Sequence, residues 1–313
     1  MLKNLTWFSM SPDKRIMTAR RWVVRNSVLR SGVKVYGAGR EVYPEVSGYF
    51  IPTLLCFGER DRAFGYARWL LSVQNNDGSW SDPAGKSAYT FDTGQILKGL
   101  IAVAPVLPEV DEAIRRGCNW MLTQILPDGQ ITTPDKTEWG GLLGGRTVSE
   151  NIHLYALKPL REAARLFNES KYTDAVECAL RHYLAKPDLI TFNTLSHFHA
   201  YVIEALVDLG YADMAAKGMA EVARLQRNDG SVPAYPEVDW VCSPGLAQYT
   251  LIWYRLGLRA PADKAFQYLC RLQNSSGGFY GSYGKGANYF PDKEISWAVK
   301  YFLDANYWRQ TKL

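Results

Sequence analysis

The chain has 313 residues, 47% of them hydrophobic and 21% charged, a balance that supports a large buried core and excludes a disordered chain. A net charge of +5 with Lys and Arg scattered, not clustered, argues against a nucleic-acid surface and leaves room for an anionic ligand. Five cysteines (Cys56, Cys118, Cys178, Cys242 and Cys270) at wide spacing do not make a disulfide framework and fit a reducing compartment. Residues 1–13 carry no apolar stretch of the kind that heads a secreted chain, and no apolar run approaches ~18 residues. The expectation is a cytoplasmic protein with no membrane-inserted segment.

In chain order, an amphipathic helix is predicted over 14–29, and an apolar one follows over 49–57. Amphipathic and apolar segments then alternate: 60–74 and 93–106, 109–124 and 152–167, 172–184 and 198–209, 211–226 and 245–256, 261–273 and 295–306. In the amphipathic set, apolar residues such as Ala67, Leu70 and Leu71 recur at helical spacing. The apolar set is hydrophobic most of the way round, as burial on all sides requires.

Four of the amphipathic segments end alike. Gln74-Asn75-Asn76-Asp77-Gly78-Ser79, Gln124 to Gly129, Gln226-Arg227-Asn228-Asp229-Gly230-Ser231 and Gln273 to Gly278 place marker glycines at 78, 129, 230 and 277. The gaps are 51, 101 and 47 residues, so the middle one spans a copy without the mark. A period of ~50 residues denotes a repeat architecture. Six apolar and six amphipathic helices in alternation make an all-α (α/α)6 toroid, one domain over 1–313, with the apolar helices inside and the glycines ending the outer ones.

The Gln-x-x-Asp-Gly-Ser endings, the first followed by Trp80, resemble the repeats of terpene cyclases and protein prenyltransferase β subunits. The ring plan resembles polysaccharide lyases, unsaturated glucuronyl hydrolases and the helical domain of glucuronyl C5-epimerases. The segment 43–52, Tyr-Pro-Glu-Val-Ser-Gly-Tyr-Phe-Ile-Pro, is similar to helical-toroid proteins of bacterial surface-polysaccharide synthesis. The first resemblance does not extend to the chemistry. The Asp-x-Asp-Asp acid motif is absent, and Asp239 and Cys242 have no later histidine to complete a zinc set. Gly140-Gly141 and Gly144-Gly145 lack the Gly-x-x-x-x-Gly-Lys pattern of a phosphate loop. No metal and no cofactor is expected.

The segments leading into the inner helices, 43–49, 89–95, 146–155, 193–201, 237–243 and 288–297, are rich in polar and aromatic residues. They hold Glu45, Asp92, Glu150, Asp239 and Glu294, and three of the four histidines, His153, His197 and His199. Polar groups on otherwise apolar helices need partners or a wet cavity. The alternative for each is local: Asp92-Thr93, Ser149-Glu150-Asn151 and Ser243-Pro244 are ordinary helix starts. His197 and His199, two apart, project to different sides of a helix, so one of them faces the axis; His182 belongs to the surface. Trp80, Tyr89, Trp139, Trp240, Tyr280, Tyr283, Tyr289 and Trp297 are either packing or a stacking surface for sugar or hydrocarbon.

Two chemistries fit this inventory. For elimination or C5-epimerisation of a uronic acid, Asn151 or Arg146 neutralises the carboxylate, His153 or His199 is the base and Tyr155 or Tyr201 the acid. For glycoside hydrolysis, two of Asp92, Glu150, Asp239 and Glu45 flank the bond. The expected catalytic set is therefore Asp92, Glu150, His153, Tyr155, His199, Tyr201 and Asp239. The expected substrate-binding set is Glu45, Tyr49, Trp80, Tyr89, Arg146, Asn151, Trp240, Tyr289, Glu294 and Trp297. The substrate expected is an acidic glycan or lipid-linked oligosaccharide. A non-catalytic glycan-binding or scaffolding ring, and a terpenoid-processing enzyme, stand as alternatives.

Overall fold

The computed structural model describes residues 10–29, 31–134, 142–143, 146–147 and 150–311. Among them, twelve α-helices alternate between an outer and an inner layer. The outer helices are α1 (Pro12–Asn26), α3 (Arg60–Ser72), α5 (Asp111–Thr123), α7 (Ser170–Leu184), α9 (Ala212–Arg224) and α11 (Arg259–Leu272). The inner helices are α2 (Pro44–Cys56), α4 (Thr90–Val103), α6 (Leu157–Phe167), α8 (Ser196–Asp208), α10 (Ser243–Arg255) and α12 (Ser296–Thr311). Two short antiparallel ribbons, β1 (Leu142–Leu143) with β2 (Arg146–Thr147) and β3 (Val241–Cys242) with β4 (Ser282–Tyr283), decorate the loops. This is the (α/α)6 toroid expected from the repeat.

Burial separates the two layers. In α5 only one face is covered, through Ala113, Ile114, Gly117, Cys118, Trp120 and Met121, whereas α10 is buried at every residue from Ser243 to Tyr254. Inner helices approach closely where they carry glycine. Gly48 of α2 lies on the Ile96 backbone of α4, and Gly99 of α4 on the Gly48 carbonyl, with no room for a side-chain carbon at either place.

The Gln–Gly signature joins neighbouring repeats. Gln74 Nε2 donates to the Gly78 carbonyl of its own turn and to the Ala113 carbonyl of the next outer helix, both at 2.9 Å. Gln226 does the same to Gly230 and Pro261, and Gln273 to Gly277 and Arg15. Each marker glycine has a positive φ and presses against a backbone carbonyl of the following outer helix: Gly78 on Arg116, Gly129 on Cys178, Gly230 on Lys264 and Gly277 on Thr18. The last pair closes the ring, because Arg15 and Thr18 belong to α1. The unmarked copy ends α7 at Ala185 with Lys186-Pro187 following.

A second repeated device ends the inner helices. Gly58, Asn168, Gly210 and Gly257 are left-handed, and the next residue's N–H reaches back five residues, as in Tyr211 to Leu206 and Leu258 to Trp253, both 2.8 Å. The chain thus reverses tightly into α3, α7, α9 and α11. All inner helices therefore start at one rim of the ring and end at the other, which sets where their first turns point.

The third inner helix differs. Residues Glu150–Ala156 form a 3₁₀ turn before α6 begins, so an α-helix expected over 152–167 is replaced in its first turn and a half. No helix among the described residues is long and apolar enough to cross a membrane.

Candidate active site

Glu45 and Asp92 occupy the first turns of the adjacent inner helices α2 and α4. Neither caps its helix: the cap positions are Tyr43 and Tyr89, and neither helix has a side-chain cap bond. Both carboxyl groups are buried, Glu45 at 5% and Asp92 at 1% exposure. The Tyr43 hydroxyl donates to Asp92 Oδ2 at 3.0 Å, while Asp92 Oδ1 is buried and has no hydrogen-bond partner among the described residues. Burial holds Glu45 well above the usual carboxylate range, and the charge of Asp92 adds to this; Lys300 and Lys98 act in the opposite sense. Burial lifts Asp92 to about 7, against the Tyr43 hydrogen bond. Burial thus pushes both acids toward the neutral form.

A layer of aromatic side chains lies beside the pair. Tyr201 packs on Phe91 (4.8 Å between centroids), Tyr155 (5.0 Å) and His197 (4.4 Å). Tyr49 stacks on Tyr301 at 6.2 Å, and Tyr155 and Tyr301 share a hydroxyl hydrogen bond of 3.2 Å. Toward the rim, Tyr289 lies 6.3 Å from the His197 ring and accepts a hydrogen bond from Trp297 Nε1 at 3.1 Å. Tyr43, Phe198 and Phe290 at this rim are half-buried. Phe290 has a φ of 47°, a strained left-handed conformation that sets the loop carrying Tyr289.

His197 has a defined tautomer. Gln248 Nε2 donates to Glu204 Oε2 at 2.7 Å, which turns Gln248 Oε1 toward His197 Nδ1 at 3.0 Å. Nδ1 therefore carries the hydrogen, and Nε2 accepts from the Tyr201 hydroxyl at 2.8 Å. Burial depresses His197 to about 3, so the ring is neutral, and burial holds the Tyr201 hydroxyl well above its ordinary range, so the proton stays on Tyr201. Glu204 continues through Arg255 (3.4 Å) to Asp208, on which Lys158 and Lys98 also converge. Burial alone would raise Asp208, but Arg255, Lys98 and Lys158 bring it to about 2. These groups line a cavity of about 500 Å³ at the opposite rim, where Lys98 Nζ sits 3.0 Å above the Tyr155 ring and is lowered to about 7 by burial.

Of the residues singled out in the sequence, Glu45, Tyr49, Asp92, Tyr155, Tyr201, Tyr289 and Trp297 come together at the axis. Tyr89 is buried three residues before Asp92, and Trp240 packs edge-on against Tyr235 at 5.9 Å beside the β3–β4 ribbon. The rest lie elsewhere, each for a visible reason. Glu150 is held by Tyr183 (2.8 Å) and Lys186, and Asn151 by Lys186 (2.9 Å), so both are turned to the outer helix α7. His153 has Glu150 and Lys186 as its electrostatic neighbours, and burial lowers it to about 4. His199 is bonded through both ring nitrogens, to Tyr249 (2.7 Å) and the Ile190 carbonyl (3.0 Å), and it braces the outer wall. Asp239 is fully exposed and paired with Arg227. Glu294 accepts from Trp22 Nε1 (2.7 Å), Asn274 (2.8 Å) and Ser276, where the ring closes. Trp80 has no exposed surface and donates to the Leu70 carbonyl at 2.8 Å, within the core. The Arg146 side chain, Trp139, Ser149 and the 140–141 and 144–145 glycine pairs lie outside the described residues.

Sequence reasoning passed over Tyr43, Gln248, Glu204, Tyr301, Lys98 and Lys300, and it preferred His199 to His197. The signal for most of them was present: Lys98, Glu204, Gln248 and Lys300 are polar residues in the middle of apolar helices.

No family model and no curated protein matches the chain. Solved structures do. A novel alpha-amylase from Clostridium perfringens is similar over 96% of this chain and 99% of its own, with a TM-score of 0.73 and 14% identity. An unsaturated glucuronyl hydrolase specific for heparin covers 98% of both chains at a TM-score of 0.72 and 14% identity. A polysaccharide lyase covers 95% and 96% at 0.63 and 11%. At such identities the likeness establishes the shared toroid fold.

Proposed function

We propose that this chain is a carbohydrate-active enzyme whose chemistry is run by Glu45 and Asp92, with glycoside hydrolysis the reading supported best. The observation that carries it is the buried carboxyl pair facing a cluster of aromatic rings at the rim where the inner helices begin. One carboxyl, protonated at neutral pH, gives its proton to the leaving oxygen, and its ionised partner assists water or the anomeric carbon. Tyr43 orients Asp92, and the unpartnered Oδ1 is the atom left for substrate. The half-buried rings of Tyr43, Phe198 and Phe290 at this rim, backed by Tyr289 and Trp297, provide faces on which sugar rings stack. The structural neighbours named as glycosidases and as a glucuronyl hydrolase favour a glycan substrate. An acidic glycan, free or lipid-linked, is the substrate class we propose; Lys98 and Lys300 act on Glu45 from deeper in the ring, where they are paired with Asp208 and Asp304.

A second reading rests on the Tyr201–His197 hydrogen bond. The Tyr201 hydroxyl, kept protonated by burial and oriented by neutral His197, is suited to giving its proton to a leaving oxygen, or to C5 from the far face, while the Asp92 carboxylate takes the proton beside a uronic carboxylate, and so to elimination or epimerisation. A panel of neutral and uronic oligosaccharides separates the two. Hydrolysis releases reducing ends without a new ultraviolet chromophore; elimination creates a conjugated double bond. We expect reducing ends alone, with Glu45→Gln and Asp92→Asn each lowering kcat by ~10³-fold or more while glycan binding persists. An ultraviolet-absorbing product abolished by Tyr201→Phe and indifferent to Glu45→Gln would replace hydrolysis with elimination. Binding with no turnover of any glycan would favour a non-catalytic ring.

A further inference from the structure

The seam of the ring carries a feature that closure does not require. Between α11 and the start of α1 lies a cavity of about 550 Å³. Four arginines line it: Arg15 from α1, Arg259 and Arg271 from α11, and Arg309 from the last turns of α12. The single acid in its wall, Asp263, already accepts the Tyr254 hydroxyl at 2.7 Å. Among the described residues the cavity wall thus holds four guanidinium groups and one carboxylate, with the Asp229 carboxylate acting on Arg271 from outside it. Arg15 is 2% exposed, and its burial lowers its pKa. The seam itself is tied through the Arg15 carbonyl, which takes Gln273 Nε2 at 3.1 Å, and through Gly277 on Thr18. Among the described residues Arg309 pairs with no carboxylate and lies over the Phe266 ring at 4.9 Å. Arg271 donates to the Asp229 carbonyl, lies over the Tyr268 ring at 5.2 Å and acts on the Asp229 carboxylate.

We propose that this cavity is a binding site for a doubly charged oxyanion, a phosphoryl group. Like charges gathered in a partly desolvated groove repel one another and favour the bound state of an anion. Guanidinium forks fit phosphoryl oxygens two at a time, and arginine keeps its charge where a lysine would lose it. Phe266 and Cys270 supply an apolar floor that strengthens each contact. The groove lies on the outer wall, away from the Glu45–Asp92 pair, so the site does not depend on the catalytic reading.

The test uses the full chain. Thermal unfolding and titration calorimetry are run with inorganic phosphate, with a hexose monophosphate and with vesicles containing phosphatidic acid, against chloride at matched ionic strength. Saturable stabilisation by phosphate above chloride is expected. Whether the hexose phosphate or the vesicle binds more tightly than the free ion then identifies the source of the group. The double variant Arg271→Gln/Arg309→Gln, at exposed and half-buried positions, is expected to weaken binding by about tenfold or more. Arg21→Gln, an exposed cation of α1 outside the cavity, is expected to leave it unchanged. No saturable difference between phosphate and chloride would overturn the proposal. So would equal weakening by Arg21→Gln, which would mean diffuse attraction instead of a site.

Discussion

Asp92 is a residue the fold holds at a cost. Its carboxyl lies at about 7 when folded, against an ordinary value of 3.8, because burial disfavours the charge. A raised acid is neutral in both states below ~4, so it costs nothing there; as pH rises to 7 the unfolded chain ionises first and stability is lost. Asp92→Asn should therefore match the wild type in Tm near pH 4 and exceed it increasingly toward pH 7, even as turnover disappears. An unchanged gap across that range would mean that Asp92 is not held neutral. His197 behaves in the opposite sense: it is depressed to about 3, and it destabilises the fold as pH falls from ~6.5, where the unfolded imidazole takes up its proton. Gln248 fixes which His197 nitrogen bears hydrogen. An amide cannot hand on a proton as a water chain does, so its role is positioning. Gln248→Leu should lose the defined Nδ1–H signal in nitrogen NMR and lower kcat by ~10-fold or more with KM little changed; a variant that keeps both would remove Gln248 from the site. At this scale the sequence was only partly legible. Glu45, Asp92 and Tyr201 stand out as polar groups on apolar helices, but so do His199 and Glu294. Whether such a group faces the axis or is consumed by Tyr249, Ile190 or Trp22 depends on neighbours some 10 to 270 positions away.

The helices themselves were far more legible, because their signal is repeated. Each of the twelve lies within a few residues of its expected span, since a one-sided apolar stripe and an all-round apolar run are different patterns. The exception is the 3₁₀ turn at Glu150–Ala156, where Glu150 and Asn151 are drawn outward to Lys186; that lysine follows α7, an outer helix lacking the glycine mark. The marker glycines also test whether the signature is a joint or only a helix stop. Gly230 has a φ of 91°, and a methyl group there would run into the Lys264 carbonyl of α11. Gly257, at φ 77°, has open space around it. Gly257→Ala should cost ~1 kcal/mol for the left-handed backbone alone, whereas Gly230→Ala should cost several-fold more, since α9 and α11 must part. Denaturant unfolding of both variants measures the difference; equal losses would show that the glycine serves only its own turn.

A closed ring of repeats has one interface that the chain does not make in sequence order. Here α1 must meet α11 and α12, with contacts spanning more than 250 positions, so loop closure makes this the slowest part to form and the first to open. Gln273 and Gly277 reuse at the seam the joint found between the other outer helices. Glu294 adds a carboxylate that gathers Trp22 Nε1, the Asn274 amide and the Ser276 hydroxyl, while the Gly37 amide bonds the Glu294 carbonyl at 2.9 Å. Removing the side chain leaves the fully buried Trp22 indole and its companions without an acceptor, a loss of ~3 kcal/mol or more by the cost of orphaned donors. If the ring unfolds as one unit, Glu294→Ala lowers hydrogen-exchange protection everywhere by the same factor. If the seam opens separately, protection falls first and most in residues 12–26, while the amides of α4 and α8 keep the wild-type values until global unfolding. The second pattern is the one expected, because each repeat touches only its neighbours and the seam alone has lost its tie.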